Sequence, residues 1–221
     1  MRIVIAGGHG QIARRLSRLL HARGDIPVAV VRNADHVADV EADGAQAVLL
    51  DLEAADPADL AVHLTDADAV VFAAGAGPGS GSARKDTVDR GAAVLLADAA
   101  ERAGVRRYLL VSSIGAGAEP PAGTDPVFAD YLRAKTAAED DLRPRDLDWT
   151  ILRPGGLTDD AGTGHVRLGA DVPHGRVTRD DVAAVLLALI DEPGTAGLTL
   201  TLAEGPVPVA AAVAAATERA D

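Results

Sequence analysis

Tyr131-Leu-Arg-Ala-Lys135 places a phenol and an ammonium four residues apart. On a helix, positions i and i+4 share a face, so both groups can point into one crevice. An ammonium beside a phenol favours proton transfer from its oxygen, which suits the phenol to general acid and base work. The chain holds just two tyrosines, Tyr108 and Tyr131, and two lysines, Lys85 and Lys135, so this pairing stands out from its background. Upstream, the apolar run from Tyr108 ends in Ser112-Ser113, offering hydroxyls to a substrate oxygen. Proton donor, cation and hydroxyl together suit reduction or oxidation at a carbonyl.

The N-terminus offers a complementary feature. The apolar run Ile3–Ala6 breaks into Gly7-Gly8-His9-Gly10, and a helical pattern resumes through Gln11, Ile12, Ala13 and Leu16. Strand, glycine turn and helix in this order let a backbone approach a pyrophosphate at a helix N-terminus, where free N–H groups and the dipole favour an anion. The small residue at Ala13 allows close packing of helix on strand.

The ends of the next strands extend the reading. The second strand closes on Val31-Arg32-Asn33, where a dinucleotide presents its adenosine ribose. The absence of an acid there, with Arg32 in its place, favours a 2′-phosphate and hence NADP(H), with NAD(H) as the alternative. Asp51 and Leu52 follow the third strand, where a carboxylate can accept from an adenine amino group and a leucine can cover the ring; Asp51 is equally suited to capping a turn. Ala73-Ala74-Gly75 follow the fourth strand and are small enough for the middle of a dinucleotide to pass close to the backbone.

These residues need a scaffold that gathers strand ends. Apolar runs at 2–6, 27–31, 46–50, 69–74, 107–112, 148–152 and 197–202 predict strands. Helical periodicity predicts helices over 11–23, 34–42, 57–64, 86–103, 126–142, 179–191 and 207–218. Such alternation implies one α/β domain over residues 1–221, a doubly wound parallel sheet with ligand at the strand C-termini. The loops at 75–85, 114–127 and 158–178 leave those ends and predict substrate walls. Asp86 and Asp89 fall in the first turn of the helix at 86–103, where acids suit the dipole; lining the pocket is their second reading. The Ala-rich helix at 207–218 is expected to pack on its own sheet, a second subunit being the other cover.

Composition excludes other classes. In 221 residues, 48% are hydrophobic and 2% aromatic, enough for an aliphatic core. The net charge of -12 argues against nucleic acid or an anionic membrane as partner. With no cysteine there is no thiol catalysis and no disulfide. The six histidines show no metal-ligand spacing, so no metal is expected. No apolar run reaches membrane-spanning length and the N-terminus lacks a signal-peptide layout, which predicts a cytoplasmic protein. A small molecule is the expected partner, and the chain a monomer or small homo-oligomer.

Taken together with Asp98–Val105, Thr150-Ile-Leu-Arg-Pro154-Gly155-Gly156-Leu157 and Val177–Ala183, these motifs resemble the atypical short-chain dehydrogenase/reductases, in the NAD(P)H-binding group close to NmrA-like and epimerase-type proteins. The resemblance implies strand order 3-2-1-4-5-6-7. It implies a catalytic set of Ser113, Tyr131 and Lys135, with Lys135 also holding the nicotinamide ribose and Ser112 beside the cofactor. It implies that Pro154, Gly155, Gly156 and Leu157 wrap the nicotinamide carboxamide. The continuation Ile-Gly-Ala-Gly after Ser113 and the short C-terminal part depart from nucleotide-sugar epimerases. The expectation is an NADPH-dependent reductase of a small carbonyl, enone or quinone-like compound; a cofactor-sensing regulator and an epimerase or dehydratase are the alternatives.

Overall fold

The computed structural model describes residues 1–77 and 79–218. Strands β1 (Arg2–Ala6), β2 (Ile26–Val31), β3 (Gln46–Leu49), β4 (Ala69–Phe72), β5 (Arg107–Val111) and β6 (Asp148–Pro154) are parallel neighbours. Three short strands follow: β7 (Gly156–Thr158), β8 (His165–Gly169) and β9 (Arg176–Thr178). Then come β10 (Leu198–Glu204) and β11 (Val207–Pro208). Among the described residues the main sheet has nine strands in the order β11-β8-β10-β6-β5-β4-β1-β2-β3, and β7 and β9 form a separate parallel pair. Because β10 is the seventh strand expected from the sequence, the order 3-2-1-4-5-6-7 stands, extended at one edge by antiparallel β8 and β11.

The segment 158–178 is therefore not a plain loop. Its strands are three to five residues long, too short for a period-2 pattern to show against glycine and charge.

The helices are α1 (Gln11–Arg23), α2 (Val37–Ala42), α3 (Pro57–Ala61), α4 (Ser82–Arg84), α5 (Ala92–Ala103), α6 (Pro126–Leu142), α7 (Arg179–Ile190) and α8 (Val209–Thr217). Alternation sorts the sheet into two cores. Ile3, Ile5, Val71 and Leu109 face α1 and α7, while Val4, Ala6, Phe72 and Leu110 face α3 and α5. Each large aliphatic side chain so buried contributes roughly 1.5–3 kcal/mol. The Ala-rich α8 joins the first core through Ala212, Val213 and Ala216, closing its own domain as expected.

Single-helix continuity over 86–103 was expected, and the structure differs. Between α4 and α5, Lys85–Gly91 forms a π-helical stretch that buries Lys85, Val88 and Asp89 together. Wide turns of this kind recur at functional sites. The chain runs outward from β1 to β3 on one side and from β4 to β10 on the other, so the crevice opens where the order reverses, at the C-terminal ends of β1 and β4. Among the described residues, no helix is long and apolar enough to cross a membrane.

Candidate functional site

The turn after β1 is shaped by two close approaches. Gly7 has φ of 79°, and a Cβ there would lie 2.5 Å from Ala74 Cα. At Gly8 a Cβ would meet Ala29 of β2, also at 2.5 Å, so Gly8 serves packing and does not line the crevice. Gly10 differs: a Cβ would approach the Gly7 and Ala73 carbonyl oxygens at 3.1 and 3.5 Å, which leaves its outer side to the crevice.

Gly10 is also the N-cap of α1, and among the described residues no side chain caps that end and no acid occupies its first turn. By contrast, α3, α6 and α7 are capped by Asp56, Asp125 and Thr178. The first N–H groups of α1 thus remain available to an anion, which is what a dinucleotide pyrophosphate needs.

Two cavities extend from this turn. The first, of about 270 Å³, lies over β1–β3 and is lined by His9, Arg32, His36, Asp51, Leu52, Glu53 and Arg84 among others. Its wall is a clasp around Glu53, whose Oε2 accepts from Arg32 at 3.0 Å and Arg84 at 2.8 Å and whose Oε1 accepts from Thr87 at 2.7 Å. Hydrogen bonds from Thr87 and then Arg84 hold the Glu53 carboxyl below the usual carboxylate range. The His9 ring stacks on His36 at 3.6 Å. Asp51 accepts from the Glu53 N–H at 3.0 Å, so it caps this turn while lining the cavity. Asn33 caps the next helical turn through the Asp35 N–H and is not among the lining residues.

The second cavity, of about 790 Å³, gathers Gln11, Ile12, Ser112, Ser113, Tyr131, Lys135 and Pro154–Leu157 with the small residues Ala73, Ala74 and Gly75. The helix α6 brings Tyr131 and Lys135 to one face, as the spacing requires. Lys135 is buried; its ammonium donates to the Val111 carbonyl at 3.1 Å and the Ala74 carbonyl at 3.4 Å. It also lies 3.2 Å from Asp89 Oδ1. That contact is an ion pair and not a hydrogen bond, since among the described residues no donor is aligned on Oδ1. Asp89 Oδ2 accepts from the Ala76 N–H at 3.2 Å. The favoured reading of Asp89 as a first-turn acid suiting the helix dipole is thus corrected in favour of the second, since the π-helical stretch buries it in the cavity wall. Asp86 remains exposed and pairs with Arg90.

The Tyr131 ring stacks on Phe128 at 5.8 Å between centroids. Two ammonium groups lie near its face, Lys85 Nζ at 5.3 Å and Lys135 Nζ at 5.8 Å from the centroid. Lys85, one of the two lysines, was not among the expected site residues; its signal was scarcity together with its four-residue spacing from Asp89.

The two serines part company. Ser112 is buried and donates to Glu139 Oε1 at 2.6 Å. Glu139 is fully buried and further bonded by Arg153, at 2.8 Å from Nε, and by Arg143 at 2.7 Å. Ser113 is half-buried and donates only to the neighbouring Ile114 carbonyl at 3.3 Å, leaving its hydroxyl at the cavity wall. Glu53, Arg84, Glu139 and Arg153 were also missed by sequence reasoning, because the contacts that bring them to the two cavities join segments 14 to 31 residues apart.

A mostly parallel Rossmann-type sheet, a glycine turn opening an uncapped helix and a Tyr/Lys pair on one helix face define the class of NAD(P)-binding α/β proteins. The chain belongs to the NAD(P)H-binding family, whose model matches residues 7–193. It is 36% identical over 214 residues to the Bacillus subtilis protein described as the uncharacterised sugar epimerase YhfK, covering 96% of this chain and 99% of that one. Among solved structures, a provisionally assigned NAD-dependent epimerase/dehydratase from Bacillus halodurans superposes with TM-score 0.89 at 34% identity, over 97% of this chain and 99% of that chain. The anaerobillin reductase ChuY from Escherichia coli O157:H7 superposes with TM-score 0.79 at 29% identity, over 94% and 98%. A nicotinamide dinucleotide is the cofactor of this oxidoreductase- and epimerase-like family.

Proposed function

We propose that the protein is an NADPH-dependent reductase of a small carbonyl, enone or quinone-like compound, with Tyr131 as the proton donor. The observation that carries this reading is the Tyr131 ring in the wall of the second cavity, flanked by two buried ammonium groups. The reductase neighbour ChuY supports the reaction class.

The residues fit the cofactor. The open side of Gly10 and the uncapped start of α1 would hold its pyrophosphate. Arg32 and Arg84 would meet a 2′-phosphate at the first cavity, and Pro154–Leu157 would border the nicotinamide. When bound, NADPH supplies a hydride to the acceptor carbon.

The chain's own groups do the rest. Ser113 orients the substrate oxygen by donating a hydrogen bond. Tyr131 delivers its hydroxyl proton to that oxygen as negative charge develops there. Lys135 stabilises the charge left on the phenol oxygen, an effect strengthened by its burial. Lys135, held against two strand-end carbonyls and Asp89, is fixed where a ribose hydroxyl can also reach it.

The test is NADPH oxidation against aromatic aldehydes, enones and quinones, with Tyr131→Phe alongside and binding of NADPH and NADH followed by nicotinamide fluorescence. The mutant is expected to lose about 10²–10⁴-fold in turnover, with NADPH affinity unchanged and tighter than that for NADH. Turnover indifferent to the mutation sinks Tyr131 as the acid. Conversion of a sugar substrate without net change of cofactor establishes the epimerase reading instead, and tight binding without any turnover favours a cofactor sensor.

A further inference from the structure

Three cations line the second cavity: Lys85, Lys135 and Arg179. Two have carboxylate partners, Lys135 in Asp89 at 3.2 Å and Arg179 in Asp159 at 2.9 Å. Lys85 does not. Its side chain is buried, with the residue 8% exposed, and its ammonium donates to the Gly77 carbonyl at 2.9 Å. Among the described residues no carboxylate lies within ion-pair distance of it, so a buried cation with three donors has one acceptor. Removing such a charge from water is costly unless an anion compensates it. The cavity, and not the protein, is the open side of this group.

The surroundings restrict the anion's carrier. Lys85 Nζ lies 5.3 Å from the centre of the Tyr131 ring, so an anion on Lys85 and an oxygen on Tyr131 can belong to one small molecule. A single unpaired lysine suits a monoanion, because the remaining cations of the wall are already neutralised. At the cavity wall, Val127, Phe128 and Leu157 are 40%, 49% and 39% exposed, large apolar side chains left to solvent. An apolar body would cover them.

We propose that Lys85 is the counter-ion for a carboxylate on the substrate, and that the substrate is an apolar, typically aromatic, carbonyl compound bearing that carboxylate. This rests on the reading of the second cavity as the substrate end of a reductase site. Lys85 then acts in recognition: it holds the carboxylate, while Phe128 and Leu157 cover the body and Tyr131 meets the carbonyl.

The experiment is a calorimetric or ligand-observed NMR titration of the protein saturated with NADP⁺, which fills the pyrophosphate site, using para-formylbenzoate and its methyl ester as probes. Wild type is expected to bind the acid about tenfold more tightly than the ester, the scale of one charge-assisted hydrogen bond. Lys85→Met is expected to bring the ratio to about one, and Lys85→Arg to keep it. Melting temperature and NADP⁺ affinity check that the variants are folded, and a wild-type ratio near one overturns the assignment even if Lys85→Met does not fold. An acid-to-ester ratio near one in wild type, a ratio preserved in Lys85→Met, or binding of neither probe overturns the assignment. Because the titration reads binding alone, a Lys85-dependent preference without NADPH oxidation by para-formylbenzoate or by any of the aldehydes, enones and quinones leaves Lys85 as a carboxylate-binding group and sinks the reductase reading.

Discussion

Among the described residues, two carboxylates are completely buried at the C-terminal side of the sheet, Asp89 and Glu139, and they are satisfied very differently. Glu139 accepts from Ser112, Arg143 and Arg153, with both oxygens engaged. Asp89 receives one backbone N–H from Ala76, and its other oxygen faces the Lys135 ammonium without an aligned donor. The first arrangement returns to the carboxylate the hydrogen bonds it lost on leaving water. The second leaves part of that cost uncompensated in the wall of the larger cavity. On the proposed reading, Glu139 is a support for the crevice and Asp89 positions Lys135 within it.

The largest expected effect tests the support. Glu139→Ala leaves the Arg153 guanidinium and the Ser112 hydroxyl without their acceptor, next to Gly117, whose φ of 83° and lack of a Cβ make room for Arg153. Removing one member of a buried pair costs about 3–5 kcal/mol. Urea unfolding of the mutant should show a loss of that size, with an unchanged m-value. A loss below about 1 kcal/mol, the scale of an exposed ion pair, would show that the network carries little stability and dissolve the contrast.

Asp89→Asn should behave in the opposite sense. The side-chain volume is kept, the Ala76 N–H retains an acceptor and the Lys135 ammonium keeps its two carbonyl acceptors, so the stability loss should stay below that of Glu139→Ala, at about 1–3 kcal/mol for one lost charged partner. Lys135, however, loses its counter-ion and is held by carbonyls alone. A cation displaced by about 1 Å beside the reacting groups can cost about 10²-fold. Steady-state kinetics should therefore show a fall in kcat of that order with a smaller change in KM, and rescue in Asp89→Glu would be incomplete because the longer arm overfills the site. If the stability loss of Asp89→Asn matches that of Glu139→Ala while turnover is intact, Asp89 is a second support.

The contrast also explains what could be read from the chain. The glycine turn and the Tyr131/Lys135 face rest on local periodicity and short spacing, which survive in one dimension, whereas the strand order followed from the resemblance to a known family. Arg32 was placed at the ribose end by strand counting alone. Glu53, Arg84 and Thr87 meet across segments 31 to 34 residues apart, so their clasp had no local signature. Asp89 was legible as a residue but not in its direction, because an α-helical count from Asp86 puts it on the solvent side and the π-helical stretch does not. Strands β8 and β11 escaped because strands of five and two residues at this side of the sheet are stabilised by their neighbours, β8 by β10 and β11 by β8, and not by their own composition.

The adjacent serines give the finest test. Ser112 and Ser113 are chemically identical and one peptide apart, yet strand alternation sends Ser112 to Glu139 and leaves Ser113 at the cavity wall. Ser112→Ala removes one charge-assisted hydrogen bond to a buried acceptor and should cost about 1–3 kcal/mol of stability, with turnover within about twofold of wild type once folded, too small a change in barrier to mark a catalytic group. Ser113→Ala removes only a weak bond to a neighbouring carbonyl, so its melting temperature should be unchanged. Its effect should appear in kcat/KM, by about tenfold, the value of one hydrogen bond to a substrate oxygen. Parallel thermal melts and kinetics on the two mutants separate the roles. A stability loss in Ser113→Ala with full activity, or the reverse pattern in Ser112→Ala, would mean that the alternation at the end of β5 does not divide support from chemistry.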